Sequence, residues 1–77
     1  MNSYENPLRR LRESICPNRT IFARQHGLNY QTLSFAETGL VNRPISLVRV
    51  LAALTGQDEA ELMRQYVAWK ASLMEGG

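Results

Sequence analysis

Residues 22–39, FARQHGLNYQTLSFAETG, constrain the fold of this chain more than any other stretch. Ala23 is followed by Gly27 four positions on and by Leu33 six positions after that. A small residue at position 23 lets two helices cross closely, where a larger side chain would hold them apart. Gly27 reaches the left-handed conformation without a Cβ penalty, so it ends the first helix in a tight turn. Asn29 is a good N-cap for a second helix, which Leu28 and Leu33 anchor to a core. This spacing predicts a helix-turn-helix, with one helix over 18–26 and the next over 29–38, closed by Gly39.

Three further helices are expected around this unit. Asn6 as N-cap and Pro7 at the first helical position start a helix in which Leu8, Leu11 and Ile15 recur at helical spacing until Pro17 stops it. A short connection at 40–45 contains Pro44. Ser46 is expected to cap the next helix, where Leu47, Val50, Leu51 and Leu54 form an i, i+3, i+4, i+7 stripe that Gly56 ends. Asp58 and Glu61 open a last helix over 58–74 with a capping-box pattern. No segment alternates at period two, so the fold class is all-α: one five-helix domain over 1–77, with its core over 6–74.

Seventy-seven residues bury roughly 60% of their unfolded surface, enough for one modest core. A single cysteine, Cys16, excludes an internal disulfide and a cysteine-rich metal site. No apolar run approaches the ~20 residues of a membrane span, and the N-terminus has no signal-peptide core. Cys16 is expected at the core or its edge. His26 has no His or Cys at ligand spacing except Cys16, ten residues back, and is expected to be half-buried rather than a metal ligand. No nucleophile–base spacing and no phosphate loop occurs, so no catalysis, cofactor or small-molecule ligand is expected.

The net charge of +2 is unevenly placed. Residues 1–49 carry seven Arg against three Glu, a net +4, and residues 50–77 carry a net −2. A basic half that contains the turn unit fits an anionic partner. The eight-to-one excess of Arg over Lys suits phosphate recognition, and codon usage produces the same bias. On a helical wheel Leu33, Ala36 and Glu37 share the inward side of the second helix. Gln31, Ser34, Phe35 and Thr38 form the outward stripe, with Tyr30 at the helix start. The stripe bears no formal charge. Gln31 suits bidentate pairing with adenine, Ser34 accepts or donates, and Phe35 suits contact with a thymine methyl or folds back onto the loop at 40–41.

The last helix carries two apolar stripes, Leu62, Tyr66, Trp69 and Leu73 in one and Met63, Val67 and Met74 in the other. One covers the core. The remainder, Met63, Val67, Trp69 and Met74, is expected to form a weak homodimer interface, because large exposed apolar patches mark contacts. Alternatively, Trp69 completes a small core.

LRRLRES at 8–14, FARQHGL and NYQTLSFAETG around the turn, and SLVRVLAALTGQDEAEL at 46–62 together resemble the lambda repressor and Cro (XRE) family, here a small Cro-like member. The likeness covers about residues 8–62. It implies a cytoplasmic, sequence-specific double-stranded DNA-binding regulator, of the repressor kind, in a bacterial cell or phage-infected host. The recognition helix 29–38 then lies in the major groove, a docking geometry carried over from the family. Tyr30, Gln31, Ser34, Phe35 and Thr38 would contact bases. Asn18, Arg19, Asn42 and Arg43 would contact the backbone, helped by the free N–H groups at the start of the first helix of the unit. Arg12 and Glu37 match positions that commonly pair across the family's helices. The alternative is a protein-interaction module that uses the same helices to bind a regulator, a toxin or a polymerase subunit.

Overall fold

The computed structural model describes residues 5–76, with side chains described through Leu73. Five helices follow in order: α1 Pro7–Ile15, α2 Arg19–Gln25, α3 Tyr30–Thr38, α4 Ile45–Thr55 and α5 Glu59–Gly76. The described residues contain no strand, as the absence of period-two alternation implies.

Asparagine starts each of the first three helices. Asn6 Oδ1 accepts from Leu8 N, Asn18 Oδ1 from Ile21 N, and Asn29 Oδ1 from Gln31 N and Thr32 N. Each extended cap residue thus satisfies a backbone donor that the helix itself leaves unpaired. Gly39 and Gly56 stand left-handed at the ends of α3 and α4, at φ 85° and 75°. Gly27 has φ 66° in the turn between α2 and α3, where Leu28 N closes onto Ala23 O at 2.8 Å.

Two local expectations change. Ser46 does not cap α4. The helix begins two residues earlier than that cap would place it, with Pro44 as N-cap and no side-chain cap bond. The Pro44 carbonyl accepts from Val48 N at 3.0 Å, so the ladder starts before Ser46 is reached. The buried stripe of α4 is Leu47, Val48, Leu51 and Ala52, with Val50 only partly buried and Leu54 exposed. The face is rolled toward Val48 and Ala52 because α4 packs against both α1 and α5. Asp58 caps α5 as expected, with Oδ2 accepting from Glu61 N at 3.0 Å. The Glu61 carboxylate turns to Gln65 Nε2 rather than back to the cap.

One core joins the helices: Leu8, Phe22, Ala23, Leu33, Ala36, the α4 stripe, Leu62, Tyr66 and Trp69. Ala23 is buried on α2, which packs on α3, as the close-approach argument requires, and Ala36 is buried on α3. His26 is half-buried, its ring tilted against Phe22 with centroids 4.6 Å apart. Cys16 is partly buried at the core edge.

Trp69 corrects the expectation of an exposed α5 face. It is only 9% exposed. Its ring lies over Gly39, where a Cβ would stand 3.1 Å from Cη2, and it packs obliquely on Tyr66. Leu62, Tyr66 and Trp69 are all buried because α5 covers α1 and α4 and also reaches the end of α3. Tyr66 Oη donates to Val41 O at 2.5 Å, fixing the loop after α3 to α5.

Two stability predictions follow from these contacts. Gly39→Ala meets both a left-handed φ and the Trp69 ring, whereas Gly27→Ala meets the left-handed φ with open space around it. The backbone term alone is about 1–2 kcal/mol, so urea midpoints should fall for both variants and further for Gly39→Ala. Burial holds the Tyr66 phenol above its ordinary value of 10.0. The folded chain therefore binds that proton more tightly than the unfolded chain. Its contribution is complete below about pH 10 and is lost as pH rises through the folded value. Tyr66→Phe should cost about 0.5–1.5 kcal/mol at neutral pH and should flatten the alkaline loss of stability. Equal alkaline slopes for the two proteins would reject the assignment.

Candidate nucleic-acid interface

The side chain of Glu37, on the inward face of α3, is 0% exposed. An isolated carboxylate there would be prohibitively desolvated, and two guanidiniums answer it. Arg12 from α1 binds it bidentately, Nε to Oε2 at 2.7 Å and Nη2 to Oε1 at 2.9 Å. Arg12 Nη1 also donates to the Cys16 and Pro17 carbonyls, both at 2.9 Å, and so ties down the end of α1. The bonds to Glu37 raise the Arg12 guanidinium above its ordinary pKa. The pairing implied by the resemblance is present.

Arg19, the first residue of α2, is the second cation. Its Nε lies 3.0 Å from Glu37 Oε1. That N–H is not aimed at the oxygen and makes no hydrogen bond, so the contact is an ion pair only. Arg19 Nη1 donates to Ser34 Oγ at 3.2 Å, and the guanidinium lies over the Tyr30 ring, 6.0 Å from its centroid. The family resemblance implies Arg19 as a backbone contact. The structure lays it against α3, partly exposed, where it contacts two residues of the outward face.

Asn6 contributes a link that sequence reasoning missed. With its oxygen committed to the α1 cap, Nδ2 is free to donate to Ala36 O at 3.0 Å and Glu37 O at 3.1 Å. One buried amide therefore starts α1 and secures the last turn of α3. An Asn cap, unlike Asp or Ser, leaves a spare amide, and that is the only signal the sequence carries.

With α3 held in this way, its opposite face is open. Tyr30, Gln31, Phe35 and Thr38 are exposed and Ser34 is half-buried. Thr38 Oγ1 donates back to the Ser34 and Phe35 carbonyls. Phe35 is 46% exposed, so of its two expected placements the outward one holds.

Asn18 is exposed, with its side-chain oxygen used by the α2 cap. Asn42 and Arg43 are exposed in the loop after α3. Four arginines lie next to carboxylates: Arg9 with Glu13, Arg10 with Glu5, Arg49 with Glu59, and Arg64 with Glu61. Among the described residues no carboxylate pairs with Arg24, Arg43 or Lys70, and Lys70 Nζ donates to Asn42 Oδ1 at 3.1 Å.

Of the expected interface residues on α5, Trp69 belongs to the core, Met63 is half-buried against it, and Val67 is exposed. The Met74 side chain lies outside the described residues. Of the apolar surplus that motivated a dimer, Trp69 and part of Met63 are thus absorbed within one chain, and Val67 is not. Among the described residues, no group of three His, Cys, Asp or Glu is placed to hold a metal, and no helix is long and apolar enough to cross a membrane.

Comparison with known proteins finds no matching family model, no matching curated protein and no matching solved structure.

Removing Glu37 strands the buried Arg12 charge, at a cost of about 3–5 kcal/mol, and removing Arg12 leaves Glu37 only the Arg19 contact, which makes no hydrogen bond to it. Arg12→Met and Glu37→Gln should each lower the denaturant midpoint steeply, and the double variant should lose much less than the two losses added together. Simple additivity would show that the two side chains do not act as a unit.

Proposed function

We propose that the protein is a sequence-specific double-stranded DNA-binding regulator of the helix-turn-helix kind that reads bases with α3 from the major groove. The observation that carries this reading is the state of α3. One face is fixed by Arg12, Arg19 and Asn6, and the other is exposed, uncharged and able to form hydrogen bonds. Base edges are read by hydrogen bonds and apolar contacts in the groove, whereas phosphate contacts position the protein without carrying sequence. An uncharged stripe on a helix held from behind suits the first task.

The hydrogen bonds give each residue a role on this reading. Gln31 makes no side-chain bond within the described structure and is free to pair bidentately with adenine. Ser34 accepts from Arg19, which turns its own proton outward. It then favours a base acceptor, purine N7 or O6 or thymine O4, over an amino group. Thr38 spends its proton on its own helix, so it offers an acceptor or its methyl. Phe35 fits a thymine methyl.

A second reading is a protein-interaction module. Tyr30, Phe35 and Leu40 favour it, since all three are exposed in or just after α3 and Leu40 is 72% exposed.

Selection of bound sequences from random duplex DNA at stated salt separates the two. A DNA reader returns a defined site. On that site Gln31→Ala should cost about 1–3 kcal/mol, with little loss on random duplex. Ser34→Ala should relax preference at one base pair and leave the others unchanged. Failure of the wild-type protein to enrich any sequence would leave the protein-interaction reading in possession of the face.

A further inference from the structure

The loop after α3 and the middle of α5 together border a hollow of about 370 Å³, lined by Asn42, Arg43, Val67, Lys70 and Ala71. Its polar groups have one sign. Lys70 gives one proton to Asn42 Oδ1, leaving two ammonium N–H groups. Because the Asn42 oxygen is used, its amide presents N–H as well. Arg43 adds a guanidinium that no carboxylate pairs with among the described residues. A neighbouring hollow also borders Arg43 and contains Asp58 and Glu59. Those carboxylates are engaged elsewhere, Asp58 with the Glu61 backbone and Glu59 near Arg49. Val67 and Ala71 supply apolar wall between the donors.

A site of donors without a carboxylate calls for an anion, and the apolar wall calls for a ligand with a nonpolar side. A sugar–phosphate backbone has both. We infer that Asn42, Arg43 and Lys70 form a phosphodiester-binding site in which α5, through Lys70, grips the DNA backbone beyond the end of α3, with deoxyribose against Val67 and Ala71. This inference rests on the DNA reading above and extends it to α5, which the sequence assigned to self-association. Val67 lines this hollow, so a backbone seated there and a second copy of the chain would compete for that side chain.

Salt titration tests it. Affinity is measured for the selected duplex and for a random duplex of equal length, with the wild-type protein, Lys70→Ala, Lys70→Gln, Lys70→Arg and the Lys70→Ala/Arg43→Ala pair. Each lost phosphate contact should make the log affinity against log salt slope shallower by about 0.9. Lys70→Ala and Lys70→Gln should show one such decrement on both duplexes, the double variant two, and Lys70→Arg none. Helical circular dichroism and melting separate these effects from unfolding, since loss of one exposed-side bond to Asn42 does not alter a salt slope. Duplex binding with an unchanged slope for Lys70→Ala and Lys70→Gln overturns the site and leaves the α3 reading standing. No binding of either duplex by the wild-type protein overturns both.

Discussion

A single buried carboxylate organises this molecule. Glu37 must be neutralised because it is sealed from water, and the groups that reach it come from different helices. Arg12 brings α1 and Arg19 brings α2 onto α3. A buried ion pair contributes little net stability compared with a well-packed apolar alternative, and breaking one is expensive. Its effect here is positional. Rolling α3 about its axis would strand the carboxylate, so the rotation that buries Leu33 and Ala36 is enforced by charge as well as by apolar burial. Asn6 adds the third constraint by binding the last turn of the same helix.

The same cluster reaches the exposed side. Two guanidiniums meet one carboxylate, leaving one excess positive charge. That charge is Arg19, which sits between the buried pair and the outward residues Ser34 and Tyr30. The hydrogen-bonding sense of Ser34 is thus set from within the fold, by the residue that shares Glu37. On the proposed reading, stability and recognition are coupled through one side chain, and a change at Arg19 would act on both.

What was legible in the sequence was local. Asn6, Asn18 and Asn29 mark helix starts, and Gly27, Gly39 and Gly56 mark reversals, because a cap or a left-handed turn is decided within a few residues. The division of α3 into Leu33, Ala36 and Glu37 against Gln31, Ser34, Phe35 and Thr38 followed from helical periodicity alone. What failed was decided between helices. The α4 face rolled from Val50 and Leu54 to Val48 and Ala52 because α1 and α5 press on it from two sides. Trp69 looked surplus to the core because Gly39, the partner it covers, is thirty residues away in sequence. The Arg12–Glu37 pair was visible only through a family likeness. The placement of Arg19 against α3 and the bond from Lys70 to Asn42 had no local signature at all.

Charge distribution then constrains how such a protein would hold DNA. Four arginines lie beside carboxylates and two more are drawn to Glu37, which leaves Arg24, Arg43 and Lys70 without a carboxylate among the described residues. Non-specific affinity scales with the phosphates neutralised, so three unpaired cations give only a weak hold on arbitrary sequence. On the proposed reading the uncharged α3 stripe adds nothing to that hold, yet each bidentate contact it would make discriminates by about 1–3 kcal/mol. Weak general attraction combined with directional contacts raises the ratio of specific to random binding, the quantity that matters when one site competes with many. The internal ion pairs therefore do more than join helices. By occupying Arg12 and Arg19 they would, on the proposed reading, keep the recognition of sequence from being submerged in attraction to phosphate.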